Sequence, residues 1–124
     1  PLKLGVKIAG RWMIRPVPFR EAYFLEDALK FRKEVKLPLV YVGGLISGKK
    51  IDEVLDSGFE FVSMARALLN EPDFINRLKN DRQAVNQCVC ANYCIARMYS
   101  IEMACHQHRS DVPKCLHKEL GIKK

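Results

Sequence analysis

The sequence predicts an α/β fold built on parallel strands, and three observations carry the prediction. Leu37 to Val42 is an apolar run with one proline and no alternating polar residues, the composition of a strand buried on both faces, as parallel sheets require. A second run, Phe59 to Met64, follows after a stretch of helical periodicity, giving the order strand, helix, strand. Each run ends on residues that open the backbone to an approaching group, Gly43-Gly44 and Ala65-Arg66. Parallel strands joined by a helical crossover belong to open doubly wound sheets or to (β/α)8 barrels. Two strands cannot close a barrel, and an isolated pair would leave apolar edges and faces bare. The chain therefore reads as part of a larger domain whose other strands precede it.

Residues 1–18, PLKLGVKIAGRWMIRPVP, hold two prolines near their end and no sustained periodicity, and read as a loop leading into a helix. From Phe19 the pattern turns helical. Phe24, Ala28, Phe31 and Val35 recur at helical spacing, Leu25 and Leu29 widen the stripe, Glu26 and Lys30 make a surface pair, and the helix ends before Pro38. Ile51, Val54 and Leu55 mark a short amphipathic helix opened near Ser47, a side chain able to cap free N–H groups, and closed by Gly58. A last helix starts at Glu71-Pro72, where proline at the first position loses no hydrogen bond, with Phe74, Ile75 and Leu78 on its inner face. It runs out near Asn80-Asp81, so residues 19–80 form the strand-helix units and 81–124 a Cys-rich extension, irregular or helical.

With 124 residues and 48% hydrophobic content, the chain can form one domain with a core. The formal charge of +7 is concentrated at the two ends, whereas residues 51–104 carry eight acids against five bases. No compact basic and aromatic module accompanies the charge, so the expectation is no nucleic-acid partner and a solvated basic surface. No apolar stretch approaches the roughly 20 residues that span a bilayer, and no signal sequence is read, which fits a soluble cytoplasmic protein without a membrane partner.

The two strand ends converge on a common edge, and their residue types suit an anion. Gly43-Gly44 brings N–H groups close without a Cβ in the way, while Arg66 adds a planar, permanently charged fork. Singly, each has an ordinary structural explanation, a strand-to-helix turn or a surface arginine. Together at adjacent strand ends they point to a phosphate site.

Five cysteines, Cys88, Cys90, Cys94, Cys105 and Cys115, all lie in the last 37 residues. An odd count and that clustering argue against a disulfide framework and leave three readings: metal ligation, cluster ligation or reduced thiols. A zinc site would draw on His106 or His108 beside Cys105, although no paired spacing of the zinc-finger kind is present.

The ordered series VGGLIS, GFEFVSMARALLNEPDFINRL and CVCANYC resembles the carboxyl-terminal end of the old yellow enzyme family of FMN-dependent NAD(P)H:flavin oxidoreductases, over about residues 19 to 105. The resemblance implies the last part of a (β/α)8 TIM barrel. Phe19 to Val35 would be its sixth helix, Leu37 to Val42 its seventh strand, Lys49 to Ser57 its seventh helix, Phe59 to Met64 its eighth strand and Pro72 to Leu78 its final helix. Gly43, Gly44, Ala65 and Arg66 would then clasp the FMN phosphate, the first three through backbone N–H groups. Ala65 stands where many members have Gly, and a positive φ there would be strained in alanine.

The implied chemistry is hydride transfer from NAD(P)H through FMN to an electron-poor alkene such as an enone or enoyl thioester. Its proton donors lie on earlier strands, so no catalytic residue is assigned, and residues 1–124 alone are expected to be inactive. The spacing C-x-C-x3-C-x10-C of Cys88, Cys90, Cys94 and Cys105 resembles the dienoyl-CoA reductase-like branch. That branch uses C-x2-C-x3-C and a fourth cysteine to hold a [4Fe-4S] cluster between FMN and a second flavin domain. The first gap here is one residue instead of two, and a rival alignment on Asn92 and Cys94 places Ala91 where a cysteine belongs. Expected partners are a small-molecule substrate, the rest of the barrel and, in some form, an oligomer. The competing class is a non-enzymatic α/β module that binds phosphate or metal.

Overall fold

The computed structural model describes residues 18–92, 94–95 and 103–107. The loop expected over 1–17 and the tail with His108, Cys115 and His117 lie outside them. The order of elements is α1 (Leu25–Glu34), β1 (Val40–Val42), α2 (Gly48–Asp56), β2 (Phe61–Ser63), α3 (Arg66–Asn70) and α4 (Phe74–Asn80). The strands pair in parallel, with Val40 opposite Phe61, Tyr41 opposite Val62 and Val42 opposite Ser63.

Burial of the strands differs from expectation. Tyr41 faces the core and is 2% exposed, whereas Val40, Val42 and Phe61 are 58%, 62% and 59% exposed. The period of two sends alternate residues to opposite faces, and among the described residues only one face is covered. Both strands are also shorter than the apolar runs that announce them: Leu37 to Leu39 and Phe59-Glu60 lie outside the ladder.

α2 packs across the covered face. Ser47 caps it, its hydroxyl accepting from the Lys50 N–H at 3.2 Å, and Ile51 and Val54 are buried. Gly58, at φ 98°, turns the chain toward β2. Phe59 meets the Tyr41 ring edge-on at 5.5 Å between centroids. Phe74 and Leu78 of α4 close the core, and burying Phe74 completely contributes about 2–3 kcal/mol.

Two helices depart from the sequence reading. The chain forms turns over 21–24, and α1 begins only at Leu25. Its inner stripe is Leu25, Ala28 and Leu29, packed against the core, while Phe24 and Phe31 are exposed. The surface pair is Asp27 with Lys30 at 2.6 Å, and Glu26 instead takes Arg20 at 3.1 Å. α4 starts at Phe74, two residues after Pro72, and its Ile75 is exposed. α3 was not foreseen: five residues form a helix straight after β2, seating Ala67 in the core.

Glu60 joins α1 to the sheet. Its carboxylate accepts the Leu39 N–H at 2.7 Å and faces Arg32 at 3.4 Å. Arg32 also donates to the Val35 and Leu37 carbonyls at 2.6 and 3.1 Å, satisfying the end of α1.

Candidate functional site

The carboxyl ends of β1 and β2 open onto one cavity of about 120 Å³, and Gly43, Gly44, Ala65 and Arg66 all line it. Parallel pairing produces this convergence, because adjacent parallel strands end on the same edge. Gly44 adopts φ 66°, the left-handed region, and a Cβ there would stand 2.6 Å from Cε1 of Tyr23. Only glycine meets both conditions. Ala65 has φ −116° and precedes α3 as its cap, so alanine is unstrained there. The first N–H groups of α3 have no intrahelical acceptor.

The turn at Gly43-Gly44 is held by a segment that sequence reasoning assigned to a helix. The Ala22 N–H donates to the Gly44 carbonyl at 3.3 Å. Glu21 Oε1 accepts from the Ile46 and Ser47 N–H groups at 2.8 and 2.7 Å, and its Oε2 takes the Ser47 hydroxyl at 2.9 Å. The Tyr41 hydroxyl receives the Phe24 N–H at 3.3 Å and donates to the Gly43 carbonyl at 3.2 Å. Burial pushes the Tyr41 phenol above its ordinary range, so it stays a neutral donor at physiological pH. A carboxylate contacting a loop 25 residues away leaves no periodic trace in the sequence.

Arg66 borders three cavities. One is the strand-end cleft; another, of about 620 Å³, is lined by Phe19, Arg20, Tyr23, Val89, Cys90 and Asn92 among others; the third lies among the cysteines. Its guanidinium donates to the Asn92 side chain.

Cys88, Cys90, Cys94 and Cys105 line one cavity of about 30 Å³ with His106. That is the room of about one water molecule. Among the described residues, no three of His, Cys, Asp or Glu stand where one metal ion could be held, so the cysteines as placed do not make a mononuclear zinc site. All four thiols are free and half-buried.

Within this group Cys88 and Cys90 form a pair. Cys90 takes φ 55°, turning its sulfur back to the Cys88 carbonyl at 3.7 Å. The Cys90 thiol donating to the Cys88 sulfur, reinforced by the Arg66 charge, lowers the Cys88 pKa to about 6. The same hydrogen bond, with burial, raises that of Cys90 and keeps the shared proton there.

The lead into this segment is set by Asn86, which is buried. Its side chain donates to the Ala67 carbonyl at 3.1 Å and to Glu71 at 3.2 Å, and its Oδ1 accepts the Cys88 N–H at 3.0 Å. Glu71 in turn holds Arg77 through two bonds of 2.6 and 2.9 Å. An asparagine two residues before a cysteine is the local signal for such a turn. On the far side, Gln107 accepts the Val89 N–H at 3.3 Å and donates to the Gln87 carbonyl at 2.9 Å, while Asn70 donates to Cys105 Sγ at 3.2 Å.

The chain is similar to proteins with oxidoreductase names. The chain is 36% identical over 96 residues to a 4,4'-dithiodibutanoate disulfide reductase of Rhodococcus erythropolis, covering 77% of this chain and 24% of that enzyme. It is 30% identical over 88 residues to an N,N-dimethylglycine/sarcosine dehydrogenase of Chromohalobacter salexigens, covering 68% of this chain and 13% of that one. Both relatives are oxidoreductases by name, and the chain spans a quarter or less of each. No family model matches the chain. No solved structure matches it either. No helix among the described residues is long and apolar enough to cross a membrane.

Proposed function

We propose that this chain forms the FMN phosphate site of an FMN-dependent NAD(P)H oxidoreductase, as the last two strand-helix units of a (β/α)8 barrel. The observation that carries the reading is the convergence of Gly43, Gly44, Ala65 and Arg66 on one cavity at the ends of two paired parallel strands. The bare face of Val40, Val42 and Phe61 supports it, since further strands and their side chains would cover that face in a barrel. The oxidoreductase names of the relatives agree with it.

The donor set suits a phosphate dianion. Gly44 permits close approach, the start of α3 offers N–H groups, and Arg66 offers a bidentate charged fork in place of its neutral partner Asn92. Bound FMN would supply the hydride relay from NAD(P)H to the acceptor. This chain's part is to fix the phosphate, with Glu21 and Tyr41 holding the glycine turn in shape. The acceptor in the first instance is an activated alkene, as the family resemblance implies. A disulfide acceptor is the second reading, favoured by the name of the Rhodococcus relative and by Cys90 lining the same cavity as the clasp.

Arg66→Ala tests the clasp. A hydrogen bond to a charged group contributes about 1.5–3 kcal/mol, so the FMN dissociation constant measured by fluorescence titration of the complete protein should rise roughly ten- to hundredfold. Arg66→Lys, which keeps charge but loses the fork, should fall between. Unchanged affinity in Arg66→Ala would remove Arg66 from the site.

A further inference from the structure

We propose that Asn86 is a positioning residue for the FMN phosphate: it ties the glycine turn after β1 to the Arg66 side of the clasp and so sets the spacing between them. The proposal rests on the FMN reading and adds to it a residue outside the clasp. The ladder between β1 and β2 ends at Val42 and Ser63, so the spacing of the two turns beyond it needs another tie. Asn86 is 4% exposed, and its bonds reach both turns. Its backbone N–H donates to the Ile46 carbonyl at 2.7 Å, two residues beyond Gly44. Its side-chain Nδ2 donates to the Ala67 carbonyl at 3.1 Å, directly after Arg66, and to Glu71 Oε2 at 3.2 Å. Ile46 and Ala67 both line the strand-end cleft, whereas Asn86 stands behind it.

The backbone around Asn86 is itself fastened on both sides. The Gly48 N–H donates to the Ala84 carbonyl at 3.0 Å, Val85 bridges Ser47, and Arg77 donates to the Val85 carbonyl at 2.8 Å. Glu71 grips Arg77 through two further bonds, so the same carboxylate steadies the strap and receives the Asn86 side chain. An ordinary asparagine turn would need only the bond from the Cys88 N–H to Asn86 Oδ1, at 3.0 Å. The bond to Ala67 is additional, and it falls on a carbonyl already paired with the Glu71 N–H at 2.9 Å. It therefore satisfies no orphan acceptor; it joins α3 to the strap, and with α3 the backbone that carries Arg66.

The test compares FMN with riboflavin, which lacks the phosphate, by fluorescence titration of the complete protein. A ratio of two affinities in one sample does not depend on the folded fraction, so it separates positioning from stability. A hydrogen bond that orients a binding group from behind is worth roughly ten- to hundredfold at metal centres, and Asn86→Ala should lower the preference for FMN over riboflavin roughly tenfold. Its riboflavin dissociation constant should stay where it was. Asn86→Ser keeps an oxygen for the Cys88 N–H, is too short to reach Ala67 and should give the same loss, which keeps the test decisive if Asn86→Ala does not fold. An unchanged preference in Asn86→Ser would overturn the proposal, as would equal losses for FMN and riboflavin, the mark of a purely structural role. Arg66→Ala, measured alongside, tells the two readings apart. A preference lost in Arg66→Ala and kept in the Asn86 variants refutes the positioning role alone, whereas no preference for FMN in the unaltered protein refutes both.

Discussion

Glu21→Ala should be the most informative change in the turn that holds the cleft. One carboxylate there receives the Ile46 N–H at 2.8 Å, the Ser47 N–H at 2.7 Å and the Ser47 hydroxyl at 2.9 Å. A hydrogen bond to a charged acceptor contributes about 1.5–3 kcal/mol, but three bonds to one group do not add, and these half-buried donors regain some water when the carboxylate is gone. We expect a loss of about 2–4 kcal/mol. Ser47 keeps its capping bond to Lys50 N–H, so α2 itself should persist. Glu21→Gln keeps an accepting oxygen and loses the charge, and should cost about 1 kcal/mol. Urea unfolding of the complete protein measures both through the shift of midpoint at constant slope. If Glu21→Ala stays within about 0.5 kcal/mol of the parent, the surface-substitution range, the anchoring argument is wrong.

Further outcomes follow from the same contacts. Gly48→Ala should destabilise by about 3 kcal/mol or more, because the new Cβ would stand 2.0 Å from the backbone carbonyl oxygen of Arg82, which no rotamer can move; urea unfolding is again the measurement. Glu60 has its pKa lowered in the folded state, first by the Leu39 N–H and, against an opposing effect of burial, by its own backbone N–H and the Arg32 charge. Its contribution is therefore present above the ordinary glutamate value of 4.5 and is lost as pH falls below it, a dependence that Glu60→Gln should flatten in acid-titrated thermal scans. Iodoacetamide labelling of Cys88 should reach half its maximal rate near pH 6 and shift well upward in Cys90→Ala, which removes the donor; an unmoved profile would mean that Cys90 does not donate to it.

What the sequence made legible is what period and local chemistry encode. The two strands, the capped helix between them and the convergence of Gly43, Gly44, Ala65 and Arg66 all follow from apolar runs, Ser47, Gly58 and the parallel crossover. The misreadings share a cause. Phe24 and Phe31 sit at helical spacing yet are exposed, because a periodic stripe does not say which side of it finds a partner. α3 is too short for a hydrophobic period to register, and Pro72 serves a turn where a helix start was expected. Glu21, Tyr41 and Asn86 act across 26, 17 and 19 residues, and such long-range bonds appear only once the chain is folded. The cysteine spacing suggested a ligand set; the φ of 55° at Cys90, which turns its sulfur toward the Cys88 carbonyl, leaves no trace in that spacing.

The uncovered sheet face has a practical side. Val40, Val42 and Phe61 present apolar surface next to strands that pair, among the described residues, only with each other. Exposed apolar surface beside unpaired backbone is the template on which chains stack edge to edge. Recombinant production of residues 1–124 by themselves should therefore give poor solubility and concentration-dependent clumping, and a charged residue introduced at Val42 would act as a gatekeeper against it.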